Sequence, residues 1–251
     1  MKGLLIILLF LSACGKGPAR KSSETKQEVS GIYASSLLKV NVYYEEGAEP
    51  YTDKVLSLEL WNLLRSNLNS LLEGRNISVE VPSTLPQMVK ISPQSKTSWS
   101  VQEVMDLAKK YPLSEPPNVS EFQIFFLNGL ADGNPGVIGY HISHTKIMAI
   151  FKDVIKSSGS NNQDFVPKYV EQATLIHEMG HALGLVNNGI PMIQNHQDVP
   201  HGAHCSNPDC VMYYSNEGAS NMIKFAKSSY AKGTVIMFDN QCLEDSRRFQ
   251  K

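Results

Sequence analysis

Residues 177 to 181 read His-Glu-Met-Gly-His. Four residues of α-helix advance by about 400°, so His177 and His181 fall one turn apart on one face, where two imidazoles can meet one cation. Glu178 sits beside them, near enough to a water on that cation to take its proton without joining the ligands. Zinc suits this donor set. It lowers the pKa of bound water toward ~7, and a neighbouring carboxylate can draw off the proton as the water attacks a carbonyl, then pass it to a leaving amine. The bland alternative is three polar residues that share a helix face. Ala182, Leu183 and Gly184 extend the pattern to H-E-x-x-H-x-x-G, with a glycine where the helix must stop and the chain turn back. That extension favours zinc.

A catalytic zinc keeps three protein ligands and leaves a fourth position to water. Three residues past Gly184 stands Asn187, whose amide oxygen is a weak zinc ligand, and beyond it lie His196, His201 and His204. Each of these is otherwise an ordinary surface histidine, and His196, with Asp198 close by, could equally support a ligand as be one. Residues 204 to 216 read His-Cys-Ser-Asn-Pro-Asp-Cys-Val-Met-Tyr-Tyr-Ser-Asn. This segment resembles archaemetzincins, a subfamily of the metzincin zinc peptidases, in which the third zinc histidine is followed at once by Cys, then four residues, a second Cys, one residue and a Met. Those positions are His204, Cys205, Cys210 and Met212 here.

The resemblance covers roughly residues 170 to 216. It departs from the wider pattern at Asn187, where metzincins place their third histidine, and in an insertion from 186 to 203. It implies His204 as third ligand and Met212 as the Met-turn floor beneath the zinc, although a Met between Val211 and Tyr213 also reads as core filling. Tyr213 or Tyr214 could reach a substrate carbonyl, or simply pack. Archaemetzincins also carry a second zinc on four cysteines; here Asp239 stands where the first Cys of the later pair would be, in Asp239-Asn240-Gln241-Cys242. Cys205, Cys210 and Cys242 are thus candidates for a second, structural ion or for a disulfide. The function implied is a zinc-dependent endopeptidase or peptidase that uses a zinc-bound water with Glu178 as general base. The alternatives are a non-catalytic surface lipoprotein held by zinc or a disulfide, and a zinc hydrolase of a cell-wall peptide.

Positioning these groups needs a scaffold. Leu37 to Tyr44 alternates apolar and polar residues as a strand does, Asp53 to Leu72 carries leucines at helical spacing up to Gly74, and Ile77 to Val81 reads as a short strand. Ser100, with Glu103 three residues on, opens a helix to Lys110. Phe122 to Leu127 is a continuous apolar run, as in a strand buried on both faces, and Val137 to Ile142 and Lys146 to Phe151 read as two more strands. Pro167 then opens the zinc helix, which runs to about Leu183. The fold class expected is α+β: a mixed twisted sheet with two long helices, the zinc helix being followed by an irregular C-terminal part with the Met-turn.

The chain has 251 residues, 42% hydrophobic and 19% charged, enough for one domain with a sizeable core. A formal net charge of -1 gives no electrostatic footing for nucleic acid, so the partners expected are a peptide or protein substrate and a membrane. The membrane enters through the first residues. Lys2 precedes an apolar run from Leu4 to Leu11 that is too short to span a bilayer, and Leu11-Ser12-Ala13-Cys14 resembles a bacterial lipobox. The organisation expected is a signal peptide at 1–13, a lipidated Cys14 with a flexible tether at 14–31, and a metallopeptidase domain at 32–251. The protein would be exported and lipid-anchored, with Gly15 after the Cys favouring an outer membrane or cell surface.

Overall fold

The computed structural model of the chain describes residues 22–55, 57–114, 116–159 and 164–250. The expected signal peptide, Cys14 and the first part of the tether lie outside the described residues. Among the described residues no helix is long and apolar enough to cross a membrane.

The main sheet has six strands: β1 (Leu37–Glu45), β2 (Ser78–Glu80), β3 (Val89–Ile91), β4 (Val119–Leu127), β5 (Gly139–His141) and β6 (Ile147–Phe151). Their order is β2-β1-β4-β6-β5, with β3 following β2 along the same edge of β1. β4 is the centre. It pairs in parallel with β1 from Leu37↔Val119 to Tyr44↔Phe126, and in parallel with β6 from Ile147↔Gln123 to Phe151↔Leu127. Ser120 through Leu127 are all buried, as the apolar run requires of a strand covered on both faces. β5 alone runs antiparallel, along the outer edge of β6. The sheet is therefore mixed and the fold α+β, as expected from the sequence.

Among the described residues seven α-helices accompany it: α1 (Ser22–Ala34), α2 (Trp61–Leu71), α3 (Val101–Lys109), α4 (Lys152–Ser157), α5 (Phe165–Ala182), α6 (Ala219–Lys232) and α7 (Asn240–Arg248). α5 holds the His-Glu-Met-Gly-His sequence and is buried almost all round, packed against α2, α4, α6 and β5. Its first half is pinned by a buried ion pair between Lys152 and Glu171; Glu171 also accepts from Tyr51 N at 2.8 Å. α3 opens as expected, with Ser100 Oγ accepting from Glu103 N and Glu103 Oε2 accepting from Ser100 N.

Three expectations are corrected. The stretch to residue 31 is not a flexible tether throughout, because α1 begins at Ser22 and buries Val29, Ile32 and Tyr33. Three apolar residues in a polar stretch show no period, yet they fall on one face and find a docking surface: Tyr33 Oη meets Ser246 Oγ at 2.7 Å and its ring packs on Phe249. α2 starts at Trp61 rather than Asp53, since Lys54–Val55 and Leu58–Glu59 fold back on each other as a short antiparallel pair. The C-terminal part is not wholly irregular. α6 buries Met222, Phe225, Ala226 and Ser229 against α5, and α7 is capped by Asp239, whose carboxylate accepts from Cys242 N at 2.9 Å.

Candidate metal centres

The histidines of α5 are brought together by the helical turn, as the spacing requires. Their Nε2 atoms lie 3.1 Å apart, and both rings are buried. α5 ends just after them: Gly184 takes φ +83°, in the left-handed region, and Ile190 N bonds back to its carbonyl at 2.9 Å. The chain then runs through the insertion and returns with His204, whose ring lies 5.4 Å from that of His177 and 4.8 Å from that of His181, centroid to centroid.

The outward nitrogens are fixed. His177 Nδ1 meets Val211 O at 2.7 Å and His204 Nδ1 meets His201 O at 2.7 Å, so in both rings Nδ1 donates and Nε2 presents a lone pair inward. Buried His204 Nε2 has no hydrogen-bond partner among the described residues. Donors at about 2.0–2.1 Å from a tetrahedral zinc sit roughly 3.3–3.4 Å from one another, and the 3.1 Å between the α5 nitrogens is close to that. Three inward nitrogens, those of His177 and His204 with Nδ1 committed elsewhere and the latter orphaned, fit a divalent cation.

Glu178 is buried beside them but turned away, with Oε2 accepting from His141 N of β5 at 2.7 Å. Burial, with Glu217 nearby, pushes its carboxyl up to about 8. Burial likewise lowers the His177 imidazole to about 4 and holds His181 well below its ordinary value. His204 goes the other way. Burial opposes its charge, but the carboxylate of Glu217 outweighs that and raises it. Glu217 Oε1 is 3.1 Å from His204 Nε2, near enough for charge attraction but off hydrogen-bond geometry. His177, His181, His204 and Glu217 together form one group with donor atoms all within 4.8 Å of one another. A cation placed among them reverses the local logic and favours ionised carboxylates.

The other histidines weighed as third ligands do not join this group. Asn187 bonds only weakly to Gln197, at 3.5 Å, on the surface. His201 pairs with Asp198 at 3.0 Å and stacks on Tyr214 at 3.6 Å, while lending its carbonyl to His204. His196 belongs to a different cluster. Its Nδ1 is 3.3 Å from Cys205 Sγ and 4.0 Å from Cys242 Sγ, and Cys242 Sγ is 3.7 Å from Cys210 Sγ. All three thiols are buried and none is in a disulfide. Thiolates at about 2.3 Å from one tetrahedral zinc sit roughly 3.7–3.8 Å apart, and thiolate to imidazole nitrogen about 3.6 Å, so these spacings match donors around one ion. His196, Cys205, Asp239 and Cys242 form a second group with donor atoms all within 4.8 Å of one another, Cys210 adjoining it through Cys242; Asp239 Oδ2, 3.4 Å from Cys205 Sγ, also accepts from Asn207 Nδ2 at 2.9 Å. On the far side of His196, Nε2 lies 2.7 Å from Asp245 Oδ2 of α7, the carboxylate support typical of a ligating imidazole.

Met212 is fully buried under α5. A Cβ built on Gly180 would collide with its Sδ, so the second free position of the His-Glu-x-x-His run is small because this methionine lies against it. Sequence reasoning missed Glu217, Asp245 and the His141 amide. Asp245 stands 49 residues from His196, and no local spacing announces a lone carboxylate or a backbone donor.

No family model matches the sequence, and no curated protein matches it. Two solved structures resemble the fold. Archaemetzincin from Methanopyrus kandleri shares 12% identity over 85% of this chain and 95% of its own, with a TM-score of 0.43. A zinc-dependent peptidase from Methanocorpusculum labreanum shares 12% identity over 82% of this chain and 99% of its own, with a TM-score of 0.47. At that identity and those scores the chemistry rests on the residues described above.

Proposed function

We propose that this chain is a zinc-dependent peptidase of the metzincin kind, with His177, His181 and His204 as zinc ligands, Glu178 as general base and peptides or proteins as substrates. One observation carries the reading: two distant segments deliver three imidazole Nε2 atoms to one buried point, beside a carboxylate that is not among them. Zinc bound there supplies Lewis acidity, acidifying water and polarising a carbonyl. The chain's own residues do the rest. Val211 O and His201 O hold the imidazoles in the ligating tautomer. His141 N, on the edge strand, orients Glu178 by its Oε2 and leaves the other oxygen to take a proton from the attacking water and hand it to the leaving amine.

In the same reading His196, Cys205 and Cys242, with Cys210 or Asp239 as fourth donor, close a second zinc site with four protein ligands, which is structural. His204 and Cys205 are neighbours in sequence, so the second ion braces the strand of chain that delivers the third ligand to the first. Met212 is the Met-turn residue under the catalytic ion.

A rival reading, a zinc site without catalysis, draws on Glu217 as a fourth donor at the first centre. Glu178→Gln separates the two. The variant is expected to bind zinc as the parent does and to lose peptide hydrolysis by about 10²-fold or more. Undiminished cleavage by the purified variant would overturn the assignment.

A further inference from the structure

Glu217 has no counterpart in the general-base chemistry just described, and its position is informative. The outer nitrogen of His204 is already committed to His201 O at 2.7 Å. A carboxylate that merely supported the ligand would sit on that side. Glu217 instead meets Nε2, the inward nitrogen, at 3.1 Å, and its oxygen lies within 4.8 Å of the donor atoms of His177 and His181 as well. His204 is buried and this Nε2 has no other partner among the described residues. An oxygen placed there is on the metal's side of the ring, in the place a catalytic zinc keeps for water and substrate.

The surroundings are closed to match. The cavity over the centre, walled by Gly139, Tyr140, His141, Glu178, His181 and Glu217, holds about 50 Å³, room for a few waters but far below the roughly 300 Å³ or more of a cleft that takes a ligand. Glu217 ends a four-residue 3₁₀ turn, Tyr214–Glu217. Beyond it Gly218 is joined to Val137, just ahead of β5, by an isolated bridge rather than a ladder. The backbone of this turn is anchored by buried Asn216, whose Nδ2 donates to Cys210 O at 3.3 Å and Val211 O at 3.0 Å, whereas the Glu217 side chain keeps 38% exposure and is the part free to move.

We propose that Glu217 is a latch: its carboxylate covers the open side of the first centre in the closed form, and swinging of the Glu217 side chain away from His204 Nε2 exposes that side to peptide. This rests on the proposed zinc site at His177, His181 and His204. It predicts that removing the carboxylate leaves the metal bound but makes its open position easier to reach, because a ligand's apparent affinity falls with the fraction of protein in the competent form.

The test uses the full chain loaded with Co2+ and, separately, Zn2+, as parent, Glu217→Ala and Glu217→Gln. Acetohydroxamate is titrated into the Co2+ proteins and followed by the visible d–d bands, alongside metal content and peptide hydrolysis by the Zn2+ forms. Glu217→Ala is expected to keep the parent's metal content, bind acetohydroxamate at least tenfold more tightly and hydrolyse peptide several-fold faster, with Glu217→Gln between the two. Equal acetohydroxamate affinity in all three proteins would overturn the latch. So would loss of metal from the variants, which would make Glu217 a permanent ligand, or a fall in hydrolysis with metal retained, which would give it a part in the chemistry. If the parent itself takes up no metal at the three histidines, the proposed function fails first; if it does, and Glu178→Gln behaves as expected, only the latch is at stake.

Discussion

Gly180→Ala is the most direct probe of how the ligand helix is seated. Two effects oppose. Glycine inside a helix costs about 1 kcal/mol relative to alanine, so the exchange alone should stabilise α5. Against this, the new Cβ collides with Met212 Sδ and comes within 3.1 Å of Phe238 Cε1. Met212 is fully buried and Phe238 nearly so, which leaves neither side chain free to swing into solvent. Overpacking a fixed site costs about 1–3 kcal/mol, and because two buried side chains are struck the upper half of that range applies, leaving a net loss of about 1–2 kcal/mol after the propensity gain. In a chain of this size that lowers Tm by about 2–8 °C. The damage should reach the metal, because Val211 precedes the displaced methionine and its carbonyl orients His177. The assay is reversible urea unfolding at saturating zinc, with a competition measurement of zinc affinity. A second variant supplies the control: in a Met212→Ala background the Cβ has room, so Gly180→Ala should become neutral or stabilising, a coupling of about 2 kcal/mol between the two positions. If Gly180→Ala stabilises the protein while Met212 is intact, or if the two changes add without coupling, the packing of Met212 under the ligand helix is refuted.

His196→Ala should remove one of two zinc equivalents while the His177 site keeps its own, and Asp245→Asn should weaken that second ion about 10–100-fold by loosening the imidazole; an unchanged content of two equivalents in His196→Ala, measured by atomic emission, would exclude His196 as a ligand. Stability of the chelated protein relative to a His177→Asn variant should fall as pH drops from about 6.5 to 4, the comparison cancelling the opposing slopes of the raised Glu178 carboxyl and His204 imidazole. The sign follows from His177, whose folded value is depressed to about 4: its contribution is fully present above the ordinary imidazole value near 6.5 and is lost as the buried ring is forced to charge. Keeping it neutral over that interval is worth about 3 kcal/mol, and His181 is shifted in the same direction. A difference in unfolding midpoint between parent and His177→Asn that stays level between pH 7 and 4 would contradict this.

What could be read without coordinates was local and periodic. His177 and His181 meet because four residues make about one helical turn, a relation that the backbone enforces wherever the helix forms. β4 was legible as a doubly covered strand from its unbroken apolar run, and α3 from Ser100 and Glu103. Gly184 announced the end of α5 through the one backbone conformation that favours it.

Where the reading failed, the cause was an ambiguity that only long-range contact resolves. The leucines from 56 to 60 continue a helical spacing, yet Lys54–Val55 and Leu58–Glu59 pair as short strands ahead of α2. α1 is made by its docking on α7 and on the end of α5, not by its own period. Among His196, His201 and His204, helical geometry marks none as the neighbour of α5, since an imidazole's partners depend on the path of an eighteen-residue insertion, and only the resemblance of the His204-Cys205 segment pointed to His204. Packing sorts them: His204 goes to the zinc helix, His196 to the three thiols and Asp245, and His201 to the surface against Tyr214. Glu217 belongs to the same class, a single carboxylate whose meaning lies in which nitrogen of His204 it faces. Residue types and spacings settle which chemistry the chain can support, because helical geometry is local. Which donors share an ion depends on segments that meet in space, because a metal's ligands need common distance and not common sequence.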